Sequence, residues 1–509
     1  MATSPCHAHT PDDLAPAGVS ICQAGGGSLR SDILVVGSGP GGAITATLLA
    51  EAGREVILLE EGGWVSQEQC LPFSRDEMIR TYRHGGITAA MGRPALAYVE
   101  ACCVGGGSEI NAGLYHRTPP DILAAWRRDW GVEALTPEDL EPHFVAGERE
   151  LGVIHHPGDP APSSHKLRIG AERLGWRAME VPRWYSYQPL PVGANNPDGK
   201  RFSEQRNAMS RTFIPRFRQA GGQLIARLRV DRIRKRSGLW EVVAMPTCAA
   251  TKAAPVVFLA DTLFLAAGTI GTPTLLRRNL LSRRAGNTFA SHPTIKITAR
   301  FPEVVNPPGS GIGVHQVKGF SPRFGFGCAV SSPPYLAMGM IDHPRDLPLI
   351  AHESERMAIY YAMARGQGRV VAHRLLPQPI PFWRMTPVQW QDLTEALHKL
   401  AQLLFEAGAD TLWPTIAGSE PLNSRADLAR LPALLPAHLT RLMTIHLTGS
   451  CPMGSAAKGA VTDSFGRVHG QEGLYVCDAS LLCDAPGVNP QGSLMALVRR
   501  NALRFLGQA

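Results

Sequence analysis

The sequence predicts an α/β fold: a largely parallel sheet to which separated parts of the chain contribute, accompanied by an antiparallel sheet with helices on one face. Three observations predict it. Residues 32–60 form a strand, glycine turn, helix and second strand pattern; residues 262–273 form a buried strand that ends in small residues and opens a helix; residues 292–381 alternate in polarity between many Gly and Pro turns. Strands joined by helices form parallel sheets, whereas alternation is typical of an antiparallel sheet with one covered face.

The first element is a glycine-rich turn. Aliphatic residues at 32–36 stop at glycines spaced G-x-G-x-x-G, and a helical pattern rich in Ala and Leu follows over residues 43–52. Gly37 allows the turn, Gly39 lets the backbone approach a pyrophosphate and Gly42 lets the helix pack on the strand, so the helix N-terminus meets the phosphates. A bare motif of this kind is also compatible with an ordinary glycine-rich turn.

Glu60 strengthens the case for a dinucleotide site. It ends the second strand, residues 56–60, where a carboxylate can accept hydrogen bonds from both hydroxyls of an adenosine ribose. Because strand, helix, second strand and acid are all in register, we predict a dinucleotide site at this turn, Ser38 included.

Composition limits the class of protein. A chain of 509 residues exceeds one core and indicates two or more domains. It has no run of eighteen apolar residues that would span a membrane, and residues 1–30 lack the pattern of a signal peptide, so we expect a loose N-terminal arm and a cytoplasmic protein. The ten scattered cysteines suit neither a zinc site nor a disulfide framework. A net charge of +8 without an aromatic-interleaved basic motif indicates a solvated basic surface rather than nucleic-acid binding.

A second glycine-rich stretch covers residues 103–113. Its small apolar surroundings make a surface linker improbable, although such a run in isolation would be a loop. Next to a dinucleotide fingerprint, we predict that it forms another wall of the same site.

The middle of the chain predicts further elements. Residues 121–152 are helical, with an N-cap at Thr136 and Pro137 in the first turn. We further predict loops over 157–164 and 189–199, a helix over 206–220, a strand over 223–230, an antiparallel excursion over 231–258, strands over 295–301 and 358–363, and a helix capped by Thr386 whose leucine stripe packs in a core.

The last seventy residues carry candidate catalytic groups. His446 lies in an apolar strand, where a lone histidine is more often a core residue with its hydrogen bonds satisfied. Asp478 follows another short buried strand, at the end where open α/β sheets hold ligands. Asn489 and Gln491 stand in a tight turn that starts the last helix, residues 494–506, and can offer amides to an electron-rich ring.

Together these blocks resemble the glucose–methanol–choline (GMC) flavoprotein oxidoreductases. The resemblance rests on the fingerprint with Glu60, the G-G-G-S-x-x-N-x-G run at 105–113, the A-A-G-T-I-G-T-P run at 266–273, and the segments of His446 and Asn489, which stand in the family's order. The amino-acid sequence of these segments is similar to that of long-chain alcohol oxidase or dehydrogenase members from bacteria.

The resemblance implies an FAD cofactor and a Rossmann-like FAD-binding domain built from residues 31–120, 205–291 and 436–509. A substrate domain would comprise residues 121–204 and 292–435. It also assigns cofactor contacts: the fingerprint glycines to the pyrophosphate, Glu60 to the ribose, and Asp478 to the ribityl or phosphate region. The remaining implied contacts, to the adenine, the flavin ring or its phosphates, are those of Gly106, Gly107, Ser108, Asn111, Gly113, Val230, Ala267, Asn489, Pro490 and Gln491.

The same resemblance makes His446 and Asn489 the catalytic pair for oxidation of an alcohol, with an apolar or long-chain primary alcohol as the expected substrate. The chemistry agrees, because a neutral imidazole can take the hydroxyl proton while hydride leaves to flavin N5, and an amide can donate to the forming alkoxide. Oxygen or another acceptor would reoxidise the flavin. The alternatives are lyase or light-driven decarboxylase chemistry on the same scaffold, and a flavin-holding binding module. The sequence leaves the alcohol, the acceptor and the oligomeric state open.

Two positions depart from the family pattern. Members that tether FAD through histidine carry it just before the asparagine equivalent to Asn111, where this chain has Ile110, so we expect a non-covalent flavin. Pro452 replaces the usual arginine of the segment after His446, which removes a guanidinium and an N–H donor.

Overall fold

A computed structural model describes residues 19–21, 28–65, 70, 72–190, 202–247 and 254–508. These residues form a mixed α/β structure whose strands pair in four sheets. The helices are α1 (Pro40–Glu51), α2 (Arg75–Thr81), α3 (Pro120–Trp130), α4 (Pro137–Leu151), α5 (Pro162–Arg173), α6 (Phe213–Gln219), α7 (Gly268–Arg278), α8 (Pro333–Gly339), α9 (Ile350–Glu353), α10 (Pro387–Glu406) and α11 (Gln491–Phe505).

The strands are short in most cases. They are β1 (Val19–Ile21), β2 (Ser28–Val36), β3 (Val56–Leu59), β4 (Thr88–Ala90), β5 (Leu96–Tyr98), β6 (Val153–Ile154), β7 (Ala178–Glu180), β8 (Arg183–Pro189), β9 (Phe202–Arg206), β10 (Gln223–Ala226), β11 (Leu228–Arg236), β12 (Leu239–Pro246), β13 (Val256–Leu265), β14 (Phe289–Ser291), β15 (Thr294–Arg300), β16 (His315–Val317), β17 (Phe324–Cys328), β18 (Met357–Ala364), β19 (Gly366–Val371), β20 (Ile380–Arg384), β21 (Thr411–Pro414), β22 (Leu442–Thr444), β23 (Leu447–Thr448) and β24 (Leu474–Val476).

The first sheet has the order β1-β10-β3-β2-β13-β12-β11, and β24 also pairs with β13. Strands β1, β10, β3, β2, β13 and β24 run parallel, whereas β12 and β11 return antiparallel. The parallel strands therefore end at one edge, although they come from both ends of the chain. This edge is where open α/β sheets bind ligands.

Helix α1 confirms the predicted strand, turn and helix. It starts at Pro40 directly after β2, with Gly39 as its N-cap. A Cβ on Gly42 would lie 1.9 Å from the carbonyl oxygen of Gly37, so only glycine lets the helix come this close to the turn.

The large antiparallel sheet, in which only the β5–β22 pair of the described strands is parallel, has the order β4-β5-β22-β15-β18-β17-β16-β7, and β21 pairs with β15. Helices α5 and α10 cover one face, where the predicted leucine stripe of α10 packs on β15, β17 and β18. Thr386 and Gln389 form a capping box at the start of α10, which confirms the predicted cap at Thr386. Helix α8 packs on part of the opposite face, against Ile359 and Trp413.

The sheets divide the chain differently from the predicted segments. Strands β4 and β5 lie within residues 31–120 and β22 within 436–509, yet all three pair in the large antiparallel sheet. In the predicted N-terminal arm, β1 is hydrogen-bonded to β10, and Ser28 begins β2. Residues 1–18 and 22–27 of that arm, and most of the predicted loop at 189–199, lie outside the described residues.

Two predicted elements are wrong in their bounds. The helix expected over 206–220 is only α6, because Arg206 ends β9, which pairs with β8. The strand expected over 223–230 breaks at Arg227, whose φ of 59° turns the chain from β10 into β11. Because of the break, β10 pairs in parallel with β3, whereas β11, which follows directly, pairs antiparallel with β12.

The seven cysteines within the described ranges are free thiols. No helix in those ranges combines the length and the apolar character that crossing a bilayer requires.

Candidate active site

The two glycine-rich segments lie against each other. A Cβ on Gly106 would lie 2.7 Å from Cα of Gly39, and one on Gly37 would lie 2.2 Å from the carbonyl oxygen of Ala266. The fingerprint turn, the loop at 105–113 and the end of β13 therefore meet at the ligand edge of the first sheet. This arrangement is the one that the prediction of a second wall for the same site requires.

Glu60 is held by the same turn. Its Oε2 accepts from the N–H (2.9 Å) and hydroxyl (2.7 Å) of Ser38, and its Oε1 accepts from the Gly62 N–H at 2.8 Å. Gly105 N–H donates to Oγ of Ser38 at 3.1 Å, which ties the second glycine loop to this carboxylate. Burial raises the pKa of Glu60, although these donors oppose the shift. Since a carboxylate accepts about four hydrogen bonds, Oε1 keeps one acceptor position for a ribose hydroxyl.

Asp478 holds the sheet edge together through its side chain. Oδ1 accepts from the N–H and hydroxyl of Ser480, and Oδ2 accepts from the N–H of Gly268 and the hydroxyl of Thr272. With all four acceptor positions of its carboxylate filled within the protein, Asp478 fixes the start of α7. The backbone here adjoins α1, because a Cβ on Gly41 would lie 1.8 Å from the Cys477 carbonyl oxygen.

The second glycine loop contacts the start of α11 and carries an amide of its own. Oδ1 of Asn111 accepts from Gly113 N–H at 2.9 Å, whereas Nδ2 is buried without a hydrogen-bond partner. Oε1 of Gln491 is likewise buried and unpaired, and a Cβ on Gly107 would lie 3.6 Å from Gln491 Nε2. Ser108 has a structural role, since its hydroxyl donates to Gly105 and accepts from Met209 N–H.

The other predicted contacts occupy the margins of this edge. Val230 is buried in β11, two residues after Leu228, whose N–H donates to the Glu60 carbonyl at 2.8 Å. Ala267 N–H donates to the Thr272 hydroxyl at 3.1 Å, and Pro490 is the N-cap residue of α11. Gly113 packs on the ring of Tyr185, where a Cβ would lie 2.5 Å from a ring carbon.

These features fit a bound dinucleotide. The N-terminus of α1 has no side-chain cap and no acidic residue in its first turn, which leaves its N–H groups and positive dipole end for an anion. The unpaired amide atoms of Asn111 and Gln491 supply one donor and one acceptor for a polar ring, and buried polar atoms rarely stay unpaired.

His446 and Asn489 meet next to the start of α11, where Gln491 lies. His446 lies between β22 and β23, and its Nε2 is 3.3 Å from Nδ2 of Asn489. Burial, followed by the positive charge of Lys318, lowers the pKa of His446 to about 3. The imidazole is therefore neutral at physiological pH, as a proton acceptor must be.

His292 is a second histidine at the pair, which the sequence did not identify. Its Nδ1 lies 3.0 Å from Nδ1 of His446, and its Nε2 accepts from Gly487 N–H at 3.0 Å. A neutral imidazole accepts at one nitrogen only, so His446 can accept from His292 at Nδ1 or from a donor at Nε2, but not from both. The two neighbours therefore decide where the proton of His446 lies.

Gln316 and His116 extend the polar network from the sheet side. Gln316 Nε2 donates to Oδ1 of Asn489 and to the hydroxyl of Tyr361, each at 3.2 Å, and its Oε1 lies 3.1 Å from Nε2 of His116. Burial, then Lys318, lowers the pKa of His116 to about 3. The alternation of β16 was the sequence signal that could have placed Gln316 on this face.

The two departures from the family pattern have simple surroundings. Ile110 is buried, with 9% of its surface exposed, and offers no nucleophilic atom to a flavin. Around Pro452, the N–H groups of Cys451 and Met453 donate to the carbonyls of Ser480 and Leu481. The ring of Pro452 therefore replaces an N–H that this pairing does not use.

Comparison with known proteins gives matches along most of the chain. Residues 78–294 and 333–497 match the two family models described as GMC oxidoreductase, and residues 30–125 match a model described as FAD binding domain. The chain is 36% identical over 479 residues to an uncharacterised GMC-type oxidoreductase of Sinorhizobium fredii, covering 93% of this chain and 94% of that protein.

More distant relatives have named activities. A long-chain-alcohol oxidase of Arabidopsis thaliana is 24% identical over 513 residues, which cover 92% of this chain and 67% of that protein. The crystal structure of pyridoxine 4-oxidase from Mesorbium loti superposes with a TM-score of 0.67 at 18% identity, covering 94% of this chain and all of that one. At that identity the superposition speaks for the fold alone.

Proposed function

The chain belongs to the GMC oxidoreductase family and is an FAD-dependent oxidoreductase, and we propose that it oxidises the CH–OH group of an alcohol to a carbonyl. The observation that carries this proposal is the contact of a neutral His446 with Asn489 beside the amides of Asn111 and Gln491. FAD, when bound, supplies the acceptor for the hydride that leaves the carbinol carbon.

The residues of the pair have complementary roles. His446 accepts the hydroxyl proton at Nε2, which requires its own proton on Nδ1; because the Gly487 N–H holds the proton of His292 on Nδ1, the contact between the two histidines has to rearrange before the proton is taken. Asn489 donates its amide N–H to the oxygen as negative charge develops there, and Gln316 holds the other end of that amide. A positioned base of this kind contributes about 10²–10⁴-fold to the rate.

Primary alcohols are the substrate class that we propose, with long-chain alcohols as the first candidates. The proposal is supported by the names of relatives, since several of them, at 22–24% identity, are long-chain-alcohol oxidases of Arabidopsis thaliana. Oxygen or another acceptor then takes the electrons from the reduced enzyme.

Anaerobic titration with alcohols tests the proposed function. We expect a primary alcohol to bleach the flavin's visible absorbance without oxygen, because the hydride has no other acceptor. Admitting oxygen, or in a parallel sample an artificial acceptor, should restore the colour and identify the acceptor class. A flavin that no alcohol reduces, but that supports turnover of a substrate without net oxidation, would indicate lyase or decarboxylase chemistry instead.

A further prediction concerns the attachment of FAD. Because Ile110 stands where a tethering histidine would be, acid precipitation of the holoenzyme should leave the yellow cofactor in the supernatant and a colourless pellet. Flavin that stays with the washed pellet would show a covalent link through another residue.

A further inference from the structure

The face of the large sheet opposite α10 has an unusual strand. In β17, Phe324 and Phe326 pack with α10 in the core, and the alternating positions that face the other way are Gly325 and Gly327. A Cβ on Gly327 would lie 2.2 Å from Oη of Tyr361, and one on Gly325 would lie 3.4 Å from Nζ of Lys318. The two glycines therefore give room for neighbouring side chains to lie across the strand.

Lys318 reaches the catalytic pair from this face. Its Nζ donates to the carbonyl oxygen of Gly487 at 3.4 Å, two residues before Asn489. Its charge lowers the pKa of His116, His292 and His446. Burial lowers the pKa of Lys318 itself to about 7, while its side chain is only half-buried, so an open space adjoins it.

No acid balances this lysine within the described ranges, where the long contact to Gly487 is the hydrogen bond of its Nζ. Two of the deeply buried arginines differ: Arg183 lies 3.2 Å from Glu204, and Arg206 lies 3.8 Å from Glu77. Arg365, whose positive charge also lowers the pKa of His292, forms an ion pair with Asp484. An ammonium that is partly withdrawn from water without a counter-charge is costly, and Lys318 in addition lies beside the catalytic pair, so we expect it to meet an anion there.

We propose that Lys318 binds a carboxylate of the substrate. This inference rests on the proposed function, and it means that the alcohol oxidised at His446 is a hydroxy acid. An ammonium with unused donors forms charge-assisted hydrogen bonds with a carboxylate. Gln316 and Tyr361 line the same face and make it polar, which suits a substrate with a charged end better than a wholly apolar chain. The inference narrows the long-chain alcohols to those that carry a carboxylate.

Binding without turnover tests the inference separately from the proposed reaction. The probes are hexanoate, which has no hydroxyl to oxidise, and its neutral counterpart hexanamide, each titrated into FAD-loaded enzyme at pH 6 and followed by perturbation of the flavin spectrum. We expect hexanoate to bind at least about tenfold more tightly than hexanamide, which corresponds to about 1.4 kcal/mol. Lys318→Met should remove the preference and Lys318→Arg should retain it.

Lys296 offers a matched control. It is a second half-buried lysine, facing the same side of the sheet on β15, and burial lowers its pKa to about 8, but its charge is not among the causes that shift the pKa of His446. Lys296→Met should keep the preference for hexanoate. FAD content of each variant shows that the fold is intact, and Lys318→Gln replaces Lys318→Met if the latter loses FAD.

The reductive half-reaction supplies the second measurement. We expect 6-hydroxyhexanoate to reduce the wild-type flavin at lower concentration than 1-hexanol, and Lys318→Met to lose that difference. Equal binding of hexanoate and hexanamide by the wild-type enzyme would overturn the inference, as would a Lys318→Met variant that keeps the preference. If hexanoate binds selectively but neither alcohol reduces the flavin, the proposed oxidation fails while the carboxylate site stands.

Discussion

Replacing His446 with alanine is expected to slow flavin reduction by an alcohol by about 10²–10⁴-fold, the contribution of a positioned general base. In the part of the chain that the structure describes, the hydrogen-bond neighbours of the imidazole are Asn489 and His292, so the variant should retain FAD. The measurement is the rate of anaerobic bleaching at saturating alcohol, normalised to the flavin content of each preparation.

His469→Ala is the matched control for the loss of an imidazole. Nε2 of His469 lies 3.0 Å from the carbonyl oxygen of Gly454, outside the network of the pair. This variant should reduce its flavin at close to the wild-type rate. Full activity of His446→Ala would exclude His446 as the proton acceptor, and loss of FAD from it would assign the residue a structural role instead.

A methyl group on Gly39 is expected to weaken FAD binding by about 100-fold, which corresponds to about 2.8 kcal/mol. Gly39 has a φ of −60° that alanine adopts freely, and the nearest protein atom to its Cβ would be Cα of Gly106, at 3.9 Å. Because the protein itself accommodates this methyl group, any loss of affinity reports the close approach of the pyrophosphate. The measurements are the dissociation constant of FAD for refolded apoprotein and the melting temperature of that apoprotein.

Substitutions of two other glycines serve as controls for Gly39→Ala. Gly147→Ala lies in α4 with open space around its Cβ and should leave FAD affinity unchanged. Gly41→Ala would press its Cβ to 1.8 Å from the Cys477 carbonyl oxygen, so it should destabilise the apoprotein as well. Unchanged affinity in Gly39→Ala would mean that the phosphates do not pass over this turn.

Local sequence was enough to predict the elements whose signals lie within one segment. The turn after β2, the N-caps Thr136 and Thr386 and the leucine stripe of α10 depend on residues a few positions apart. The bounds of α6 and the break at Arg227 could not be predicted in this way, because pairing of β9 with β8 and the passage of the chain from β10 to β11 decide them.

The predicted site was incomplete for the same reason. His446 and Asn489 stand in recognisable segments, but His292 is 154 residues from His446 and Gln316 is 173 residues from Asn489. Such partners meet only through the pairing of distant strands. Asp478 illustrates the opposite case, since its position was predicted but its four hydrogen-bond donors within the protein were not.

The edge of the first sheet also determines when the site can form. Strand β13 joins β2, from the first tenth of the chain, to β24, from the last tenth. Closing such long loops is slow, so folding of this sheet waits for late contacts. A nascent chain that has not reached residue 442 lacks both His446 and β24, and it cannot hold a complete cofactor site. Because a ligand stabilises the state that binds it, we expect FAD to stabilise the protein only after β24 has joined the sheet.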